Sequence, residues 1–190
     1  MREGFEVDNI SEADRLKMRI GYFACVSYLD EILGDLLTRL ELSGDLKNTI
    51  IVYSSDHGEM AGEHGSWWKQ SFHEASARVP MIISLPEHRN GKLAAQRLDR
   101  PVSLIDLFPT FCDFAGAEIP MDLDGISLRS ATELGVEPKS RPVVCDNLIP
   151  RWGKGSEFRM VRYEQYKYIA FRDGSELFFD LSTDPLEQSD

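Results

Sequence analysis

Six residues, Thr49-Ile50-Ile51-Val52-Tyr53-Ser54, form an almost continuous β-branched and apolar run. Such a run suits a strand buried on both faces, as in a parallel sheet. The stretch before it, from about Ser11 to Leu42, reads as one long helix. Ser11 is placed to cap its start, with Glu12 and Asp14 in the positive first turn, and Gly44 supplies the stop. Tyr22, Cys25, Val26, Leu29, Ile32, Leu33, Leu36, Leu37 and Leu40 recur at helical spacing as one apolar stripe. A helix leading into a buried strand is the repeating unit of an α/β domain. The strand runs straight into Ser55-Asp56-His57-Gly58, and functional groups in open α/β sheets gather at such carboxyl ends.

A second buried strand is expected over Val79–Leu85, with Pro80 tolerable at its start. Glu87 to Arg100 reads as a polar surface excursion. Ser103 to Ala115 is expected as a helix ended by Gly116, with a kink at Pro109. Asp122 to Gly125 is a turn, and Ala131 to Arg141 is loop-like. The texture then changes. Pro142–Cys145, Phe158–Tyr163, Tyr166–Phe171 and Glu176–Asp180 are short strand candidates. Glu164-Gln165 and Asp173-Gly174 between the last three are hairpin connections. The expected class is therefore α/β: a partial parallel-sheet domain over residues 1–130, followed by a small antiparallel sheet over 131–190.

The 190 residues carry 21 basic and 32 acidic side chains, a net charge of −11, which argues against a nucleic-acid partner. No apolar run approaches bilayer length, so no membrane partner is expected. The three cysteines, Cys25, Cys112 and Cys145, are far apart and show no C-x-x-C spacing. They suggest neither zinc nor a disulfide framework, and they lean toward a reducing compartment without fixing one. Cys25 and Cys112 fall in apolar helical patterns and read as buried thiols.

The chemistry sits in Ser55-Asp56-His57-Gly58-Glu59-Met60-Ala61-Gly62-Glu63-His64-Gly65-Ser66-Trp67-Trp68-Lys69-Gln70. Asp56 offers a carboxylate and His57 an imidazole, both good ligands for a divalent cation. At a strand end turning into a glycine loop, adjacent side chains can converge on one ion. Lys69 brings a point charge suited to a tetrahedral oxyanion. A cation and a lysine together stabilise charge on a transferring sulfuryl or phosphoryl group.

This order of motifs closely resembles the sulfatase family of the alkaline phosphatase superfamily: the strand, Ser-Asp-His-Gly-Glu-Met, Gly-Glu-His-Gly, Trp-x-Lys, then Glu74-x-x-x-Arg78-Val79-Pro80. The helix at Tyr22–Leu40 and the downstream segments Asp106–Thr110, Asp113–Gly116 and Asp124–Leu128 agree in order. So do Lys167–Ile169, Glu176–Leu181 and Thr183–Pro185. The Asp-His pair and Ser-Ala-Arg-Val-Pro look most like choline-sulfatase-type and related bacterial members. The resemblance implies that Asp56 and His57 ligate a divalent cation, calcium with manganese as the alternative. It implies that Lys69 contacts the sulfate as the catalytic lysine. His64, His73 and Trp67 become candidate substrate-binding residues. Glu74 and Arg78 read as a local ion pair. Trp67, Trp68, Trp152 and Tyr22 could line an aromatic wall fit for a cationic group, with plain packing as the competing reading.

Family members use a Cys or Ser in C/S-x-P-x-R, converted to formylglycine. None of the cysteines begins that motif; Ser84-Leu85-Pro86-Glu87-His88 has His where Arg is needed. The family's N-terminal Asp-Asp metal pair is also missing. The expectation is thus a C-terminal portion of a sulfate-ester hydrolase, inactive alone, with formylglycine expected in the missing N-terminal part. Its partner is a small-molecule sulfate ester, and a truncated sheet exposing an edge and an apolar face would self-associate. The alternatives are a phosphonate or phosphodiester hydrolase of the same superfamily and a non-catalytic truncated remnant.

Overall fold

The computed structural model describes residues 10–149 and 154–190. They fall into two compact units. One takes the residues up to Lys92 together with Asn147–Glu157, the other Leu93–Asp146 and Phe158–Asp190.

The first unit opens with helix α1 (Glu12–Ser43). Ser11 Oγ accepts from the Asp14 amide at 3.1 Å, and Gly44, at φ 80°, ends the helix by donating to the Glu41 carbonyl. Both ends lie where the cap residues place them. None of its residues is buried, however. Cys25, expected as a buried thiol, is exposed, and Cys112 is only half-buried. Of the apolar stripe, Leu33 and Leu40 alone are half-buried and the rest are exposed. Leu16, Ile20, Phe23 and Tyr28 lie off that stripe and are exposed as well. Helical periodicity sets which residues share a face; burial needs a partner for that face.

Strand β1 (Ile51–Ser54) pairs with β2 (Met81–Ser84), and the pairing is antiparallel, Ile51 opposite Ser84 and Ser54 opposite Met81. The parallel sheet expected from the continuous apolar run is not seen among the described residues. A parallel pair needs a connection that travels back along the sheet, usually a long helix. Residues 55–80 hold only a one-turn segment, Glu63–Gly65, and the four-residue helix α2 (Glu74–Ala77), and the chain re-enters at the end it left. Both strands are largely half-buried. Arg89, on the short helix α3 (Pro86–Arg89), donates to the Ser84, Leu46 and Thr49 carbonyls and fastens the entry of β1 to the exit of β2.

In the second unit, a 3₁₀ turn (Leu104–Asp106) leads into α4 (Leu107–Ala115), capped by Gly116 at φ 66°. The kink expected at Pro109 is not seen: α4 runs without interruption from Leu107 to Ala115. Pro109 itself sits in the first turn of α4, where a missing N–H breaks no helical bond. Ala131 to Leu134, expected as loop, instead belong to α5 (Arg129–Leu134), started beside Ser127, whose hydroxyl bonds Asp113 at 2.6 Å. Asp106 is fully buried and ties this region together. Its carboxylate accepts from the Ser103 amide at 2.8 Å, from the Ile126 amide at 2.9 Å and from Arg141. Its carbonyl accepts from Thr110 Oγ1, which in turn accepts from the Leu128 amide at 2.8 Å. Gly125 is required here, because a Cβ would stand 2.2 Å from the Ile105 carbonyl oxygen.

The four-stranded antiparallel sheet runs β3 (Val143–Asn147), β4 (Phe158–Tyr163), β5 (Tyr166–Phe171), β6 (Glu176–Asp180) in that order. The last three strands coincide with the expected spans. Phe158, Met160, Ile169 and Phe179 supply the buried face. Lys167 is buried too, paired with Glu187 at 2.6 Å.

Candidate metal centre

The carboxyl end of β1 delivers Asp56, His57 and Gly58 in succession. Gly58 lies flat on α2: its amide donates to the Ser76 carbonyl at 2.8 Å, and a Cβ would stand 2.0 Å from the Ala75 carbonyl oxygen. Any larger residue must push the loop away. Ser55 Oγ donates to the His57 carbonyl at 2.8 Å, and the His57 amide donates to Asp56 Oδ1 at 3.0 Å. The Asp56 carboxylate is therefore folded toward the next residue instead of away from it.

His57 Nδ1 lies 2.8 Å from the Gly58 carbonyl oxygen. A carbonyl only accepts, so Nδ1 carries the proton and Nε2 presents its lone pair. Onto that nitrogen converge Lys69 Nζ at 2.6 Å and Asp56 Oδ2 at 3.4 Å. Orienting an imidazole through its far nitrogen is the usual support for a metal-ligating histidine. Partial desolvation works to raise the Asp56 pKa. The nearby His57, the two backbone hydrogen bonds and Lys69 outweigh it, and the carboxyl is held below the ordinary value. It is thus ionised at neutral pH, as a ligand must be.

Lys69 is half-buried on a strained strap. Trp68 before it has φ 75° and Gln70 after it φ 70°, both left-handed without being glycine. Glu59 Oε1 accepts from the amides of Ala61 at 3.1 Å and Trp68 at 2.6 Å, and the Met60 amide donates to the Trp68 carbonyl at 2.8 Å. Sequence reading gave Glu59 no role, since a glutamate in a loop ordinarily faces water.

Of the other candidates, the structure brings His64 and His73 together. The His64 and His73 rings stack at 3.8 Å, and His73 Nδ1 is 2.7 Å from Ser71 Oγ. Trp67 is buried, with Gly62 at φ 90° so close that a Cβ there would lie 3.1 Å from the indole. Met60 and Phe72 in the same loop are buried as well. Trp68 is exposed, Tyr22 sits edge-on to Phe23 on α1, and Trp152 lies outside the described residues. Glu74 and Arg78 approach to 3.9 Å.

Among the described residues no cluster of three or more His, Cys, Asp or Glu side chains could hold a metal. Asp56 and His57 thus offer two donors, a hard oxygen and a fixed imidazole nitrogen whose lone pair faces Lys69 Nζ here and passes to a cation only if that ammonium turns aside. Such a pair fits one corner of a divalent site and is too small to be a whole one.

Residues 2–117 match the family model described as Sulfatase, and residues 62–190 match N-sulphoglucosamine sulphohydrolase, C-terminal. Each covers more than half of the chain, and the chain belongs to the sulfatase family of the alkaline phosphatase superfamily. Among its relatives, arylsulfatase K of Canis lupus familiaris is 38% identical over 182 residues, 90% of this chain and 32% of that protein. Choline-sulfatase of Rhizobium meliloti (strain 1021) is 36% identical over 182 residues, 94% of this chain and 34% of that protein. The chain spans about a third of the length of these curated relatives. The phosphonate monoester hydrolase of Agrobacterium radiobacter superposes with a TM-score of 0.80 at 30% identity, over 94% of this chain and 38% of that one. A protein solved with its substrate D-glucosamine-2-N,6-O-disulfate superposes with a TM-score of 0.75 at 33% identity, over 89% and 35%.

Proposed function

We propose that this chain supplies one corner of the catalytic centre of a sulfuric ester hydrolase. Asp56 and His57 would ligate a divalent cation, calcium with manganese as the alternative, and Lys69 would contact the sulfate. The observation that carries this reading is the convergence of the Asp56 carboxylate and the Lys69 ammonium on one nitrogen of His57. A bound cation supplies Lewis-acid neutralisation of charge on the sulfuryl oxygens. The Gly58 carbonyl holds the imidazole in the tautomer that presents Nε2. Lys69 places a positive charge where the leaving oxygen or equatorial oxygens gain negative charge. No C/S-x-P-x-R occurs in these 190 residues, so on this reading a formylglycine nucleophile would have to be supplied by another segment.

The expected result with the 190-residue chain and calcium or manganese is no turnover of aryl sulfate. Joined to a segment carrying that motif, the chain should hydrolyse aryl sulfate. Its presence in frame in the DNA upstream of Met1 is the quickest check, and a stop codon there would favour a non-catalytic remnant. The similarity to the Agrobacterium enzyme favours a second reading, phosphonate ester hydrolysis. Faster turnover of aryl phosphonate than of aryl sulfate by the joined protein would select it.

Helix α1, apolar on several sides and unburied, makes self-association the expected behaviour of the isolated chain. Light scattering should give a mass well above 21.6 kDa. A clean monomer would contradict this.

A further inference from the structure

Lys69 Nζ stands 2.6 Å from His57 Nε2, and its own backbone works against that placement. Trp68 and Gln70 both occupy the left-handed region, which is unfavourable for a residue with a Cβ. Trp68 also leaves its indole largely in water. Local preference would relax this strap, and relaxation would swing Lys69 away. Non-glycine residues persist in such conformations only where surrounding contacts over-determine them.

Hydrogen bonds at the two ends of the strap do so. The Trp68 amide donates to Glu59 Oε1 at 2.6 Å. The Trp68 carbonyl accepts from the Met60 amide at 2.8 Å. The Gln70 carbonyl accepts from Asn147 Nδ2 at 3.2 Å. Asn147 belongs to the same unit and is buried, and its Oδ1 accepts from the Ile149 amide at 3.3 Å, which fixes the direction of its amide group. Glu59 Oε1 also accepts from Ala61, itself left-handed at φ 48°. One carboxylate thus holds two strained backbone points.

We propose that Glu59 and Asn147 are positioning residues that hold the Trp68-Lys69-Gln70 strap at its two ends and so keep the Lys69 ammonium against His57. The functional meaning of that placement rests on the hydrolase reading above; the placement itself does not. Glu59 acts as a hydrogen-bond acceptor, so glutamine, which keeps an oxygen in the same place, should substitute for it where alanine cannot.

The test is acetylation of the whole 190-residue chain by an N-hydroxysuccinimide ester, followed residue by residue by mass spectrometry. Lys17 and Lys92, both exposed, are the internal references. Relative to them, Glu59→Ala should raise the labelling rate of Lys69 about fivefold, the loss of one net hydrogen bond. Glu59→Gln should stay close to the unmodified chain. Asn147→Ala should raise Lys69 labelling in the same direction, and it carries the test if Glu59→Ala does not fold. Unchanged Lys69 labelling in the folded alanine variants would overturn the proposal. So would equal increases in Glu59→Ala and Glu59→Gln, which would make Glu59 a charge partner instead of a fastener. No turnover, metal or substrate is involved, so a chain that proves to hydrolyse nothing leaves this result standing.

Discussion

Replacing Asp106 by alanine is expected to destabilise the chain by about 3–5 kcal/mol, the range for breaking a buried charged pair from one side. The carboxylate is completely buried and serves three donors, the Ser103 and Ile126 amides and Arg141. Alanine would strand the mostly buried Arg141 guanidinium and leave two amides without their acceptor. Asparagine keeps one acceptor oxygen and should fall between the two. The check is urea unfolding at matched protein concentration, because self-association adds to apparent stability. Arg159→Ala is the control. Its bridge to Asp146 is well formed at 2.9 Å, but the arginine is two-thirds exposed, and such pairs contribute only about 0–1 kcal/mol. An Asp106→Ala loss no larger than the control's would contradict the role given to this knot.

Lys69→Ala is expected to lower the turnover number for aryl sulfate by roughly 10²–10³-fold in the protein that joins this chain to a nucleophile-bearing segment, the size of effect seen when one preorganised donor is removed. Substrate binding should change much less, because the charge the lysine meets is greatest in the transition state. Lys69→Arg should recover little, since a guanidinium is larger and differently hydrated. His57→Ala should also remove activity, but by a separable route. It deletes a cation ligand, and raised calcium or manganese should recover part of the loss, whereas Lys69→Ala should not respond. Turnover in Lys69→Ala within threefold of the unmodified protein would remove the lysine from the site.

Much of this was written locally in the sequence. Ser11 and Gly44 bound α1 because capping chemistry acts over three or four residues. Strands β4 to β6 follow from aromatic runs cut by a two-residue and a four-residue connection. Asp56, His57 and Lys69 stand out through residue type and motif order. Direction of pairing was not legible, because Ile51-Val52-Tyr53-Ser54 would look the same in a parallel or antiparallel partnership, and the path of residues 55–80 decides it. The exposure of Cys25 was not legible either, since periodicity names a face but not what covers it. Glu59 escaped notice because its work is done on the backbone of Trp68, nine positions away, where no side-chain pattern records it. The matched segment Asp106–Thr110 and the turn Asp124–Leu128 proved to be one hydrogen-bonded knot around a buried carboxylate.

A manganese titration of the 190-residue chain, followed by NMR at each histidine ring, tests the cation corner most directly. Paramagnetic broadening should centre on His57, need millimolar metal as expected of two protein ligands, and vanish in Asp56→Ala. Broadening that spares His57, or tight one-to-one binding that survives Asp56→Ala, would show that the cation site lies elsewhere.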